Sequence, residues 1–361
     1  MKIKKIAVTV IFLLLVLNSG VNAQSMQNEL FEALPEIDNF EGYERLEKYG
    51  LILEDENWIQ NLTPKNLFEI LKELILNGYK QPLTAFLMVT AAVIITAAFS
   101  SFLKDNQHFL NFLVVAVTAS VLLPLFATLK GAANTLSGVA NFMLSFVPVF
   151  IGVVISSGFV ATASTTSPLL LFVATAVSKI STSTFLPLMG GYLSLTISSS
   201  VSPIFSLNSF ANSIKTAANY IMGIFTTLFL GVLSISGTVT SSSDSLALKT
   251  TRFLVSGVPV VGGAIAESLT AATASIEVFK SGVGAFGILA VAVIILPMLI
   301  TLLLWKVALF LSSFISEILD IKTLSSFLNA VGAVVSVTIG VLIFVGLLFI
   351  IGLTILIRLR K

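Results

Sequence analysis

The chain has 361 residues, 56% of them hydrophobic and only 11% charged, with a formal net charge of +2 and a mean hydropathy of +1.02; an ordinary soluble domain carries about 25% charged residues. This composition excludes a soluble globular protein and predicts an all-α polytopic membrane protein, because helices satisfy their own backbone polar groups in hydrocarbon. With no cysteine in the chain, disulfide frameworks and thiolate metal sites are excluded as well.

The chain opens "MKIKKIAVTVIFLLLVLNSGVNAQ", in which Lys2, Lys4 and Lys5 precede an apolar stretch from Ile6 to Leu17. Val21-Asn22-Ala23 then fits a small-x-small cleavage site, which predicts a secretory signal peptide over 1–23. Cleaved, or kept as an anchor, it delivers residues 24–80 to the outer face of the membrane. That segment holds twelve Asp/Glu against five Lys/Arg, whereas everything beyond residue 80 holds six against twelve. A short acidic extracytoplasmic segment therefore precedes a basic membrane domain over 81–361. Within the acidic segment, "TPKNLFEILKELILNGYKQP" supplies Thr63 as N-cap, Pro64 at the first helical position and Gly78 as a stop. Leu67, Ile70, Leu71, Leu74 and Ile75 fall on one face, which predicts an amphipathic helix over 64–77 lying on the outer leaflet or against a partner.

Crossing a bilayer takes about 20 apolar residues per helix. Clear spans are expected at 83–103, 109–129, 217–236, 284–311 and 331–357. Two more are expected at 137–160, broken at Pro148, and at 168–200, interrupted by "SKISTST" and by Pro187. With 253–275 as a re-entrant element, the total is about seven crossings and the carboxyl terminus lies inside, in agreement with its "RLRK" tail; if both copies of the motif described below behave alike, the total is instead even, within six to eight.

One stretch is written twice. Residues 142–164, "FMLSFVPVFIGVVISSGFVATAS", align without a gap on 253–275, "FLVSGVPVVGGAIAESLTAATAS", with eleven identities in 23 positions. They include Pro148/Pro259, Gly152/Gly263 and the run Ala161-Thr162-Ala163-Ser164/Ala272-Thr273-Ala274-Ser275. The spacing predicts an internal duplication with units 142–236 and 253–347. Pro148 and Pro259 are expected to break helices by removing a backbone donor, and Gly152, Gly262 and Gly263 to admit close helix approach. Gly346, by contrast, is expected to face lipid. Duplicated transporter and channel folds place broken helices of this kind at the repeat interface, so the two motifs are expected to share a site. Glu267, which stands where the first copy has Ser156, is its candidate pathway carboxylate, since ionisable groups inside a membrane usually face a cavity or a partner. The alternative is that its segment sits at the interface. Lys179 and Lys306 are expected to snorkel or to pair with a neighbour.

The chain contains no G-x-x-x-x-G-K-[ST] phosphate loop, and its single histidine, His108, has no triad or ligand set beside it in the sequence. No catalytic residue, cofactor, metal or nucleic-acid partner is expected.

The signal, the short charged outer segment with "LTPKNLFEILKEL", and above all "TTRFLVSGVPVVGGAIAESLTAA" within a polytopic body resemble the stage III sporulation protein AE family of endospore-forming bacteria. The resemblance implies a subunit of a multi-protein channel or secretion-like complex in the mother-cell membrane around the forespore. It also implies partners from the same operon, including a separate ATPase and ring-forming subunits. A homo-oligomer is compatible with this. The repeat and the buried charges suit a second class, a self-contained secondary transporter.

The sidedness is directly testable, since the chain has no native cysteine to give background. An Arg360→Cys variant should resist an impermeant thiol reagent in intact cells, and its modification would place the tail outside.

Overall fold

A computed structural model of the chain describes residues 64–100, 107–156, 158–201 and 262–358, with single positions at 47, 216, 220, 227 and 231. Among the described residues there are seven α-helices and no strand: α1 (Pro64–Gly78), α2 (Lys80–Ser100), α3 (Gln107–Ser156), α4 (Val160–Ile180), α5 (Leu186–Val201), α6 (Gly262–Ile318) and α7 (Lys322–Arg358). A π-helical turn, Ser181–Phe185, joins α4 to α5. Four helices hold segments long and apolar enough to cross a membrane: Val121–Ser156, Val160–Ile180, Gly282–Ile318 and Leu324–Thr354. The α1/α2 pair, bent by 45°, makes a fifth if it is counted as one broken span. The expected signal peptide, most of the acidic segment, the expected span at 217–236 and Pro259 lie outside the described residues.

The elements are longer and fewer than the sequence pattern suggests. The expected spans 109–129 and 137–160 are one 50-residue helix, α3, which runs unbroken through Pro124 and Pro148. Pro148 is therefore not a break. A proline forfeits one ladder bond and crowds the carbonyl one turn back. In an apolar setting no water competes for the bonds that remain. Thr128 Oγ1 donates to the carbonyl of Pro124 at 2.9 Å, and Thr301 Oγ1 does the same for Pro297 in α6, also at 2.9 Å. The "SKISTST" interruption is likewise helical. Ser181 Oγ donates to Val177 O at 2.6 Å, and the ladder widens into a π turn just before Pro187, which has no N–H for the carbonyl of Ser183.

The expected re-entrant element is, from Gly262 onward, the start of the 57-residue α6. The two matched motifs thus differ in backbone. The first is non-helical at 158–159, while the aligned positions 269–270 continue α6.

Chain reversals share one design. After α3, Gly158 N donates to Ile155 O and Phe159 N to Val154 O, at 2.8 and 3.2 Å. After α6, Asp320 N donates to Glu317 O and Ile321 N to Ser316 O, at 3.0 and 2.8 Å. Each is a Schellman cap, which ends a helix on a residue with positive φ. Gly158 has φ 88° and Asp320 φ 56°. Aspartate tolerates that region better than most non-glycine residues. The result is two helical hairpins, α3/α4 and α6/α7.

The hairpins lock through one aromatic ladder. Phe142, Phe146 and Phe150, spaced four apart along α3, are buried and stack at centroid distances of 5.2 and 5.7 Å. They enter a notch on α6 made by Gly284 and Gly287. A Cβ at Gly287 would collide with the Phe146 ring, and one at Gly284 would meet Phe150 Cζ at 2.9 Å and Ile357 Cδ1 of α7 at 2.7 Å. Farther along, Gly138 faces Ile294 and Gly131 faces Met298. Numbers rise on α3 as they fall on α6, so the two helices are antiparallel.

α1 joins this core instead of standing apart from it. Leu74 is buried, Ile70 packs on the core, and a Cβ at Gly78 would meet Thr301 Oγ1 at 2.9 Å. Pro82 offers no N–H to Gly78 O, which places the bend between α1 and α2 at that point. Phe68, Leu71 and Ile75 remain exposed along one flank of α1.

Gly346, expected to face lipid, is buried, and a Cβ there would meet Ile295 Cδ1 at 2.8 Å. Gly287→Leu and Gly346→Leu should each cost about 1–3 kcal/mol through overpacking, read as a lower thermal midpoint in detergent. Gly191 is exposed with nothing within 4 Å of a Cβ, so Gly191→Ala should leave the midpoint unchanged or raise it. Equal loss in all three would refute the notch.

Candidate functional site on the α3/α4 hairpin

Depth comes first. Between Lys280 and Lys306, α6 carries no charged residue, a stretch of about 37 Å, slightly more than a hydrocarbon core of about 30 Å. Its middle is Ile294, which packs beside Gly138 of α3, while Ile295 packs against Gly346 of α7. The α7 segment is charge-free from Thr323 to Ile357. Lys306 marks one edge: half-buried, its Nζ donates to Gly332 O of α7 at 2.9 Å, and Ser336 Oγ donates to the same oxygen at 2.9 Å.

At this central depth α3 turns a polar face outward. Lys130, Asn134, Ser137, Asn141, Ser145, Pro148 and Gly152 recur at spacings of 4, 3, 4, 4, 3 and 4, which keeps them on one side of a helix. Lys130, Asn134, Asn141 and Pro148 are exposed, and Ser137, Ser145 and Gly152 are half-buried. The opposite side, with Leu125, Leu129, Ala132, Leu136, Val139 and Met143, is core. Asn134 and Asn141 lie about 6 and 5 Å along the axis from Gly138. They straddle the centre of the span.

The partner helix does the same. On α4, Ser164, Pro168, Thr175 and Lys179 are exposed at spacings of 4, 7 and 4. Ser178 Oγ sits 3.5 Å from Asn141 Oδ1, which ties the two stripes together at one level. Beyond the π turn's first residue, Ser183 and Thr184 are exposed as well. Several of these hydroxyls donate to their own helix, as Ser164 does to Val160 O at 2.7 Å and Thr175 to Leu171 O at 2.8 Å. Their oxygens still offer acceptor lone pairs to water or a solute.

Of the residues expected to form a site, Pro148 and Gly152 lie together on this stripe, where Ser156 Oγ donates to Gly152 O at 3.0 Å. Gly262, Gly263 and Glu267 lie in the first two turns of α6, and Pro259 falls outside the described residues. Gly263 is about 30 Å along α6 from the Gly284 notch. Lys130, Asn134 and Asn141 escape a span-by-span reading, because 130–136 passes for a linker. Their spacing through a continuous helix is the signal that identifies them. Among the described residues no group of three His, Cys, Asp or Glu side chains is placed to hold a metal ion.

A family model described as Stage III sporulation protein AE matches residues 49–359, which include every helix above. The Stage III sporulation protein AE of Bacillus subtilis (strain 168) is 22% identical over 246 residues, covering 66% of this chain and 62% of that protein. The matched stretch therefore spans less than two thirds of the relative's length. No solved structure matches the chain. On the family match, which extends over most of its length, the chain belongs to the stage III sporulation protein AE family.

Proposed function

We propose that this chain is a membrane subunit of a multi-protein channel used in sporulation, and that the polar face of α3 and α4 lines a hydrophilic passage. Family membership supports the sporulation role. The observation that carries the passage is the set of exposed amide, hydroxyl and ammonium groups at the middle of a span. Such groups are costly against lipid tails and belong against water, protein or a solute. On this reading the chain resides in the mother-cell membrane around the forespore, with about seven crossings. It works with other membrane proteins of its operon, among them a separate ATPase and ring-forming subunits. The sequence duplication is then ancestry.

The test compares positions at equal depth in membranes from sporulating cells. Single cysteines at Asn134, Asn141 and Ser145 should react with a water-soluble maleimide. Cysteines at Ile343 and Leu347, exposed apolar positions on α7 beside Gly346, should resist it. Asn134→Leu with Asn141→Leu should block sporulation at normal protein abundance. If positions 134 and 141 resist the reagent as 343 and 347 do, the passage reading is wrong.

A further inference from the structure

We infer that the exposed apolar flank of α1 is embedded among lipid acyl chains, so that α1 is a helix submerged in the membrane interface and not a docking arm for a second protein. This surface is separate from the polar face of α3 and α4. α1 is the most amphipathic of the described helices. Leu74 is buried and marks the side packed on the core; Leu71, Ile75 and Phe68 fall about 60°, 100° and 120° round the axis from it. All three are exposed. Lys65, Glu69, Lys72, Glu73 and Asn77, with Leu76 among them, fill the sector from about 160° to 300°. From Ile70 to Phe68 the apolar arc covers about 160°, wider than the stripe of about 100° that seats a surface helix on a core. A helix lying in a membrane interface uses such an arc, with its apolar side among acyl chains and its charged side among headgroups.

Depth places the arc in lipid. Gly78, the last residue of α1, packs against Thr301 and Leu304 of α6. Thr301 is five residues, about 7.5 Å, inside Lys306, the edge of the charge-free stretch. Ile75 and Leu71 follow within about 11 Å of Gly78 along α1. Phe68–Gly78 and Lys80–Ile95 are together apolar enough to cross a membrane as one span bent by 45°. Beyond the bend, Leu83, Leu87 and Met88 of α2 are exposed as well, so both halves of the bent span present apolar side chains outward. The charged arc sums to zero, with Lys65 and Lys72 against Glu69 and Glu73, and Lys72 Nζ lies 3.6 Å from Glu69 Oε2. It gives anionic headgroups no net attraction, so the apolar arc alone seats α1, whatever the headgroup charge.

The test uses the full chain, purified and reconstituted in phosphatidylcholine vesicles, with a nitroxide on Phe68→Cys, Leu71→Cys, Ile75→Cys, Lys65→Cys or Asn77→Cys, and on Ile343→Cys as the exposed apolar reference on α7. With no native cysteine, each label reports one site. A thermal midpoint equal to that of the unlabelled chain shows that a variant is folded. Electron paramagnetic resonance then reads collisions with oxygen, which concentrates among acyl chains, and with a water-soluble nickel chelate. Positions 68, 71 and 75 should favour oxygen several-fold, as 343 does, and positions 65 and 77 should favour the chelate. Adding anionic phosphatidylglycerol should leave these ratios unchanged. A chelate preference at 68, 71 and 75, or low collision with both reagents there, would overturn the inference, the first placing the flank in water and the second under a second copy of the chain. In sporulating-cell membranes, p-benzoylphenylalanine in place of Phe68 should give a lipid adduct on irradiation, read by mass spectrometry. A protein adduct, or no lipid adduct, would make the flank a docking surface for a partner and overturn the inference, while the labelling of positions 134 and 141 would still decide the passage reading by itself.

Discussion

The fit of a phenylalanine ladder into a glycine notch fixes everything else in this fold. Inside a membrane, lipid tails are as apolar as leucine, so burying Phe142, Phe146 and Phe150 gains little of the solvent-release energy that drives soluble folding. What remains is contact geometry. Two absent side chains, at Gly284 and Gly287, let α6 approach the rings closely, and Leu353 and Ile357 of α7 close the other side. Because the ladder repeats every four residues and the notch every three, the helices engage in few registers. That engagement sets the depth of every other residue on α3.

The second constraint is that each backbone polar group needs a partner without water to supply one. Prolines inside α3, α4 and α6 leave carbonyls short of a donor. At two of these prolines a threonine four residues on donates to the proline's own carbonyl, one turn beyond the carbonyl that the missing N–H would have served. Both hairpins close with the same pair of cap bonds, so neither turn exposes the last carbonyls of its helix. Lys306 meets the need from the other direction, placing its charge on the Gly332 carbonyl.

Much of this was legible in the sequence. The all-helical class, the apolar runs, the start of α1 at Pro64 and its end at Gly78 are dictated by period and punctuation. Helix continuity is not. Pro148 and the polar stretch 130–136 look like interruptions to a reading based on water, where a freed carbonyl or an asparagine pulls a helix apart. In the apolar bundle neither does, so two expected spans merged into α3. Gly346 misled for a related reason: a glycine in an apolar run gives no sign of which side it faces, and only the α6/α7 register turns it onto Ile295. The candidate site was hidden by the same segmentation, since the polar spacing on α3 appears only when 130–152 is read as one helix.

The placement of the polar face bears on why such a chain would work as a subunit. Phe146, Phe150, Phe286, Trp305, Phe327 and Phe349 are all fully buried in the core of the described helices. The groups able to replace a hydration shell are instead on the outward side of α3 and α4, where the described helices supply only one wall. On the proposed reading the remaining wall comes from beyond these helices, so conduction depends on assembly. Among the described residues, the contact between α3 and α6 is made by the phenylalanine ladder and the glycine notch, and the polar groups of α3 lie on its other side.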